Sequence, residues 1–165
     1  MKIRLLAIAI LLTLSLAAGE GYVDAAGGKP PSAKKFDALA TAALEAMRSR
    51  ASALHVEGVA VVAYAPGDSI QGWSSKMTVV GRMKDPAGKG SNLLGIAYAK
   101  ASEMADTLQN SGTSERAPLI GEFGWQGGVV ARGKTGYLIV AFSGGKSEDD
   151  VEISRSGLAV LQPAL

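Results

Sequence analysis

Two six-residue runs, Val59-Ala60-Val61-Val62-Ala63-Tyr64 and Tyr137-Leu138-Ile139-Val140-Ala141-Phe142, are apolar without a break. A strand with one wet face alternates apolar and polar residues, so a strand-length run with no alternation is a strand buried on both faces. Such strands occupy the middle of a sheet and need a layer of helices above and below. With 165 residues the chain has material for one core of this kind and too little for two.

The intervening sequence supplies the cover. Leu39, Ala40, Ala43, Leu44, Met47, Ala51 and Leu54 recur at helical spacing, predicting a first helix from Phe36 to about His55. After the turn signal Pro66-Gly67-Asp68, Trp73, Met77, Val79 and Met83 alternate with polar residues as far as Lys84, which predicts a hairpin partner with one wetter face. The stretch Asp85-Pro86-Ala87-Gly88-Lys89-Gly90 breaks that pattern, and Asn92 is placed to cap a second helix whose face is Leu94, Ala97, Tyr98, Ala101, Met104, Ala105 and Leu108. Residues 111–122 read as loop. A second hairpin is expected near Trp125–Ala131 and Tyr137–Phe142. In the last helix, to about Leu161, Ser147 and Asp150 have capping-box spacing, with Asp in place of Glu. The expected order is α-β-β-α-β-β-α, a mixed α/β (α+β) domain over residues 36–161 with a mostly antiparallel sheet between helices.

Composition removes several classes of function. The absence of cysteine excludes thiolate chemistry and Cys-ligated metals, and a single histidine, His55, excludes a two-His zinc site. Aromatic residues are only 5% and basic residues barely outnumber acidic ones, 17 to 15, so no nucleic-acid partner is expected. His55 falls at a helix end, where a lone histidine first reads as a partner of the helix dipole and second as a candidate metal ligand.

Residues 128–135, Gly-Val-Val-Ala-Arg-Gly-Lys-Thr, satisfy the phosphate-loop expression, yet strand-forming residues follow where that loop requires a helix. A hairpin turn is expected instead. Ser143-Gly144-Gly145-Lys146-Ser147 lies between strand and helix, a position compatible with an anion cradle. The acids Glu148, Asp149 and Asp150 compete for the same helix end, so a plain turn and a ligand contact both remain open.

At the other end, Lys2 and Arg4 precede an apolar run from Leu5 that continues to Leu16, the pattern of a signal peptide over residues 1–17, with cleavage expected between about 17 and 25. Residues 18–35, with Pro30-Pro31, read as a linker. Cleavage after Ala17 leaves 15 basic residues against 15 acidic ones, a near-neutral periplasmic or secreted domain with no membrane span of its own.

Set in order, Gly81-Arg82-Met83-Lys84-Asp85, Asn92, Ala99-Lys100-Ala101, Gly127-Gly128-Val129, Phe142-Ser143-Gly144-Gly145 with Asp149 or Asp150, and Ser156-Gly157-Leu158-Ala159 resemble the GlcG/HbpS-like haem-binding (haem-degrading) family, also found as the C-terminal part of PduO-type adenosyltransferases. Lys84 is an insertion and Asn92 replaces a serine relative to that pattern. The resemblance implies a profilin-like three-layer α/β/α sandwich, haem or a related tetrapyrrole as ligand, and a homo-oligomer. It implies a site at Arg82, Met83, Lys100, Gly127, Gly128, Ser143, Gly144 and Gly145, with Arg82 and Lys100 as cations for the propionates. His55 is a candidate axial ligand. Haem binding, possible assistance in its uptake, sensing or degradation, and a non-catalytic interaction subunit without haem are the functions in play.

Overall fold

A computed structural model describes residues 29–87 and 90–165. The signal-peptide expectation for residues 1–17 and most of the linker lie outside the described residues.

Helix α1 (Ala33–Ala53) starts three residues ahead of the apolar pattern because Ser32, directly after Pro30-Pro31, caps it: the Ser32 side chain accepts a hydrogen bond from the Lys35 N–H at 3.2 Å. The chain leaves the helix through His55 at φ +55° and enters β1 (Gly58–Pro66), which pairs antiparallel with β2 (Ser74–Val80). The predicted alternation to Lys84 stops at Val80, since Gly81 turns the chain at φ +73° and carries Arg82 and Met83 off the sheet. Two short strands follow, β3 (Lys84–Asp85) and β4 (Ser91–Asn92), where the sequence predicts only a break in the pattern. Asn92 caps α2 (Leu93–Thr107) as its position predicts, accepting from the Gly95 N–H at 3.1 Å. The chain then returns as β5 (Gly128–Arg132), β6 (Gly136–Ser143) and α3 (Ser147–Leu161).

The main sheet has the order β2-β1-β6-β5 with every pair antiparallel. The two uninterrupted apolar runs are thus the two central neighbours, paired from Val59 with Ser143 to Pro66 with Gly136. Ala60, Val62, Tyr64, Leu138, Val140 and Phe142 face α1 and α3. Val59, Val61, Ala63, Ile139 and Ala141 face α2. This is the α/β/α layering that unbroken hydrophobicity demands, and it fits a profilin-like sandwich.

Gly157 lets α3 lie close on α1, because a Cβ there would come within 2.7 Å of Met47 and 3.2 Å of Val140. The packed body runs past both ends of the expected 36–161 span, from the Ser32 cap to a buried Leu165. The phosphate-loop residues form the β5–β6 hairpin. Their turn is occupied by the chain itself: the Lys134 N–H donates to the Leu165 carbonyl at 2.6 Å and Lys134 Nζ to the Pro163 carbonyl at 2.8 Å.

Candidate functional site

At the end of the sheet where β6 passes into α3, a cleft of about 120 Å³ is lined by Leu93, Lys100, Trp125, Ser143, Gly145 and Asp150, with Asp85 at its side. Its floor is an ion pair. Lys100 and Asp150 are each only 3% exposed, and Lys100 Nζ donates to Asp150 Oδ2 and to the Phe142 carbonyl, both at 2.8 Å. Burial, which disfavours either charge, lowers the Lys100 pKa and raises that of Asp150, while each partner opposes the shift of the other.

Asp150 also accepts from the Gly145 N–H at 2.9 Å, so the anion in the 143–147 cradle is the protein's own carboxylate. The capping-box expectation is corrected here. Lys146 is the N-cap, no side chain caps α3, and Asp150 turns inward to the lysine and the glycine turn instead of back to Ser147. An inward carboxylate at the fourth residue of α3 satisfies the Gly145 N–H and the buried Lys100 cation together.

The eight residues implied by the resemblance gather at this end of the sheet, in different roles. Gly144 stands at φ +156° with a Cβ position that would strike the Glu57 carbonyl, and Arg82 donates to the Gly144 carbonyl at 3.2 Å. Arg82 Nε is buried with no hydrogen-bond partner among the described residues. Met83 is 42% exposed, and its carbonyl accepts from the Leu93 N–H on the cleft wall. Gly127 has no room for a side chain because Lys100 Nζ occupies that space, and Gly128 packs on Met104 while its N–H donates to Ser111 Oγ at 2.8 Å. Those two glycines serve packing. The Lys100 ammonium is likewise buried and paired, not presented at the surface for a propionate. His55 is exposed and is not among the residues lining the cleft.

Sequence reasoning left the acid open between Asp149 and Asp150 and missed Trp125, Leu93 and Ser111. Helical phase separates the two acids only once the buried face of α3 is known. Trp125 carried a signal that was available, a large aromatic just before a strand, and it stacks on Phe123 with ring centroids 4.9 Å apart while remaining 51% exposed. The loop that carries both is tied down by Arg116, whose guanidinium bonds Glu122 at 2.7 Å and Asp106 at 2.8 Å.

Enclosing pockets begin at about 300 Å³, so a tetrapyrrole does not enter this cleft. The surface around its mouth fits such a group better, offering the exposed apolar side chains of Trp125 and Met83 and the partly exposed Arg82, while Leu93 is buried beneath. Among the described residues no group of His, Asp and Glu comes together as a metal site, and no helix is long and apolar enough to cross a membrane. No family model, curated protein or solved structure matches the chain.

Proposed function

We propose that this chain is an exported haem-binding protein that holds the ring flat across the mouth of the cleft. The observation that carries the reading is the exposed Trp125 on the cleft lining, with the partly exposed Arg82 held at the same cleft by its hydrogen bond to the carbonyl of the lining residue Gly144. Burial of apolar surface contributes about 25 cal/mol per Å² before association costs, so a large flat ring gains most of its binding from apolar contact. Arg82 would hold an acidic substituent through a charge-assisted hydrogen bond. When bound, haem would supply whatever redox chemistry occurs, and the chain's own part is to bind and orient it. Because no side chain is assigned as axial ligand, binding is not expected to depend on His55.

Titration of the purified chain with haemin tests this. A saturable Soret change is expected, weakened in Trp125→Ala and retained in His55→Ala. No saturable change in the wild type overturns the reading and leaves the second one, an interaction subunit without haem. One observation favours that alternative: Leu119, Ile120 and Phe123 are exposed together on the loop between α2 and β5, as large apolar side chains at contact surfaces are.

A further inference from the structure

We propose that Lys100 is a carbonyl-reactive amine: the cleft admits a short neutral aldehyde or ketone and holds it as an imine on Lys100 Nζ, with Asp150 moving the protons. The inference does not rest on the haem reading, since it concerns the floor of the cleft and not its rim.

Geometry carries it. Lys100 is held out of water and still lines the cleft, and its Nζ touches two acceptors only, the Phe142 carbonyl and Asp150 Oδ2 at 2.8 Å. Transfer of one Nζ proton to Asp150 Oδ2 across their 2.8 Å contact turns the ion pair into a neutral amine and a protonated acid, and leaves Nζ with a lone pair. Gly127 is what makes the position available, since any side chain there would occupy the place of Nζ. Amines desolvated in this way are the ones that attack carbonyl carbon near neutral pH, and the burial-lowered proton affinity of Lys100 is consistent with it. Asp150 is fixed by the Gly145 N–H, so it is oriented to exchange a proton with whatever is bonded to Nζ.

The size and charge of the cleft define the substrate class. About 120 Å³ admits only a few heavy atoms. Asp85 and Asp150 line it, Glu148 and Asp149 lie in the adjoining helical turn, and no basic residue other than Lys100 itself lines it among the described residues, so an anionic carbonyl compound is disfavoured. The step is balanced without an oxidant. The Nζ lone pair forms the N–C bond as the carbonyl π pair moves to oxygen, and a proton passes from nitrogen to that oxygen. Protonated Asp150 then gives its proton to the carbinolamine hydroxyl. Water leaves, the C=N bond forms, and the remaining nitrogen proton returns to Asp150 if the imine is released neutral.

The test uses the full chain with acetaldehyde and sodium cyanoborohydride at neutral pH, followed by peptide mapping. Lys100 is expected to carry the reduced ethyl adduct first, by about tenfold or more over the exposed Lys34, Lys35 and Lys134. The near-isosteric Asp150→Asn is expected to slow Lys100 labelling and leave the exposed lysines unchanged. If Asp150→Asn fails to fold, the wild-type site ranking decides alone. Labelling of Lys100 no faster than that of the exposed lysines overturns the proposal and leaves the pair as a structural pin. Unchanged Lys100 labelling in folded Asp150→Asn overturns the role of Asp150.

Discussion

Lys100 and Asp150 belong to helices on opposite faces of the sheet, yet their charged atoms meet at 2.8 Å. The contact is possible because the β5–β6 ladder ends there. Gly127, at φ +137°, takes the Phe142 N–H on its carbonyl at 3.1 Å, and the Phe142 carbonyl is left to Lys100. Ser154 on α3 donates to the same Gly127 carbonyl at 2.6 Å. Side chains from both layers therefore close the margin of the sheet that the backbone leaves open.

Removing one member of this pair strands the other charge in a buried site. Lys100→Met is expected to destabilise by about 3–5 kcal/mol, and Lys100→Met with Asp150→Asn to recover much of that loss. Denaturant unfolding of the two variants and the wild type checks it, and equal losses in the single and double variants would contradict it.

The same pair sets a pH dependence. The folded chain holds the Asp150 proton more tightly than the unfolded chain does, so the stability from this group grows as pH falls from its raised pKa toward the ordinary carboxylate range. For Lys100 the folded chain releases the proton more readily, so stability grows as pH rises from its lowered pKa toward the ordinary lysine value. Unfolding free energy measured across pH should lose both trends in the doubly neutral variant.

Glu122 behaves in the opposite way from Asp150. Its hydrogen bonds from Arg116 and the Leu119 N–H lower its pKa to about 2, so its contribution is complete above the ordinary glutamate range and is lost as pH falls toward 2. Since Glu122 anchors the loop carrying Phe123 and Trp125, the Trp125 fluorescence read in a Trp73→Phe background should change over this window. Arg116→Ala should produce the change already at neutral pH.

Gly144 and Gly145 are expected to differ. A Cβ on Gly144 meets backbone, at Glu57 and Gly58, from a positive φ, whereas at Gly145 it meets the Val56 side chain at 2.9 Å with no such φ. Gly144→Val should cost about 1–3 kcal/mol or more and Gly145→Val less, because a side chain can shift where backbone cannot. Thermal unfolding ranks the two.

The stretch 128–135 is expected to give no specific heat with ATP and magnesium in calorimetry, because the turn N–H of Lys134 and its ammonium are engaged by Leu165 and Pro163. Saturable binding abolished by Lys134→Ala would contradict the hairpin assignment.

The layering was legible in the residues themselves. Uninterrupted apolar strands at 59–64 and 137–142 can be satisfied only between two helical layers, and Asn92 marks its helix start through a bond to a residue three positions away. Local periodicity carries information of this kind because it is decided within one or two turns of chain. What local pattern does not contain is which distant groups meet. Nothing near Lys100 in the sequence says that it is paired, and Glu148, Asp149 and Asp150 are equivalent as helix-start acids until packing of α3 against the sheet turns one of them inward. Likewise Gly127 reads as an ordinary strand-start glycine, and only the approach of a lysine from the opposite layer makes its missing side chain a requirement. The elements follow from short-range chemistry; the ion pair, the cleft above it and the exposure of Trp125 follow from contacts between residues tens of positions apart, which exist only once the layers have closed.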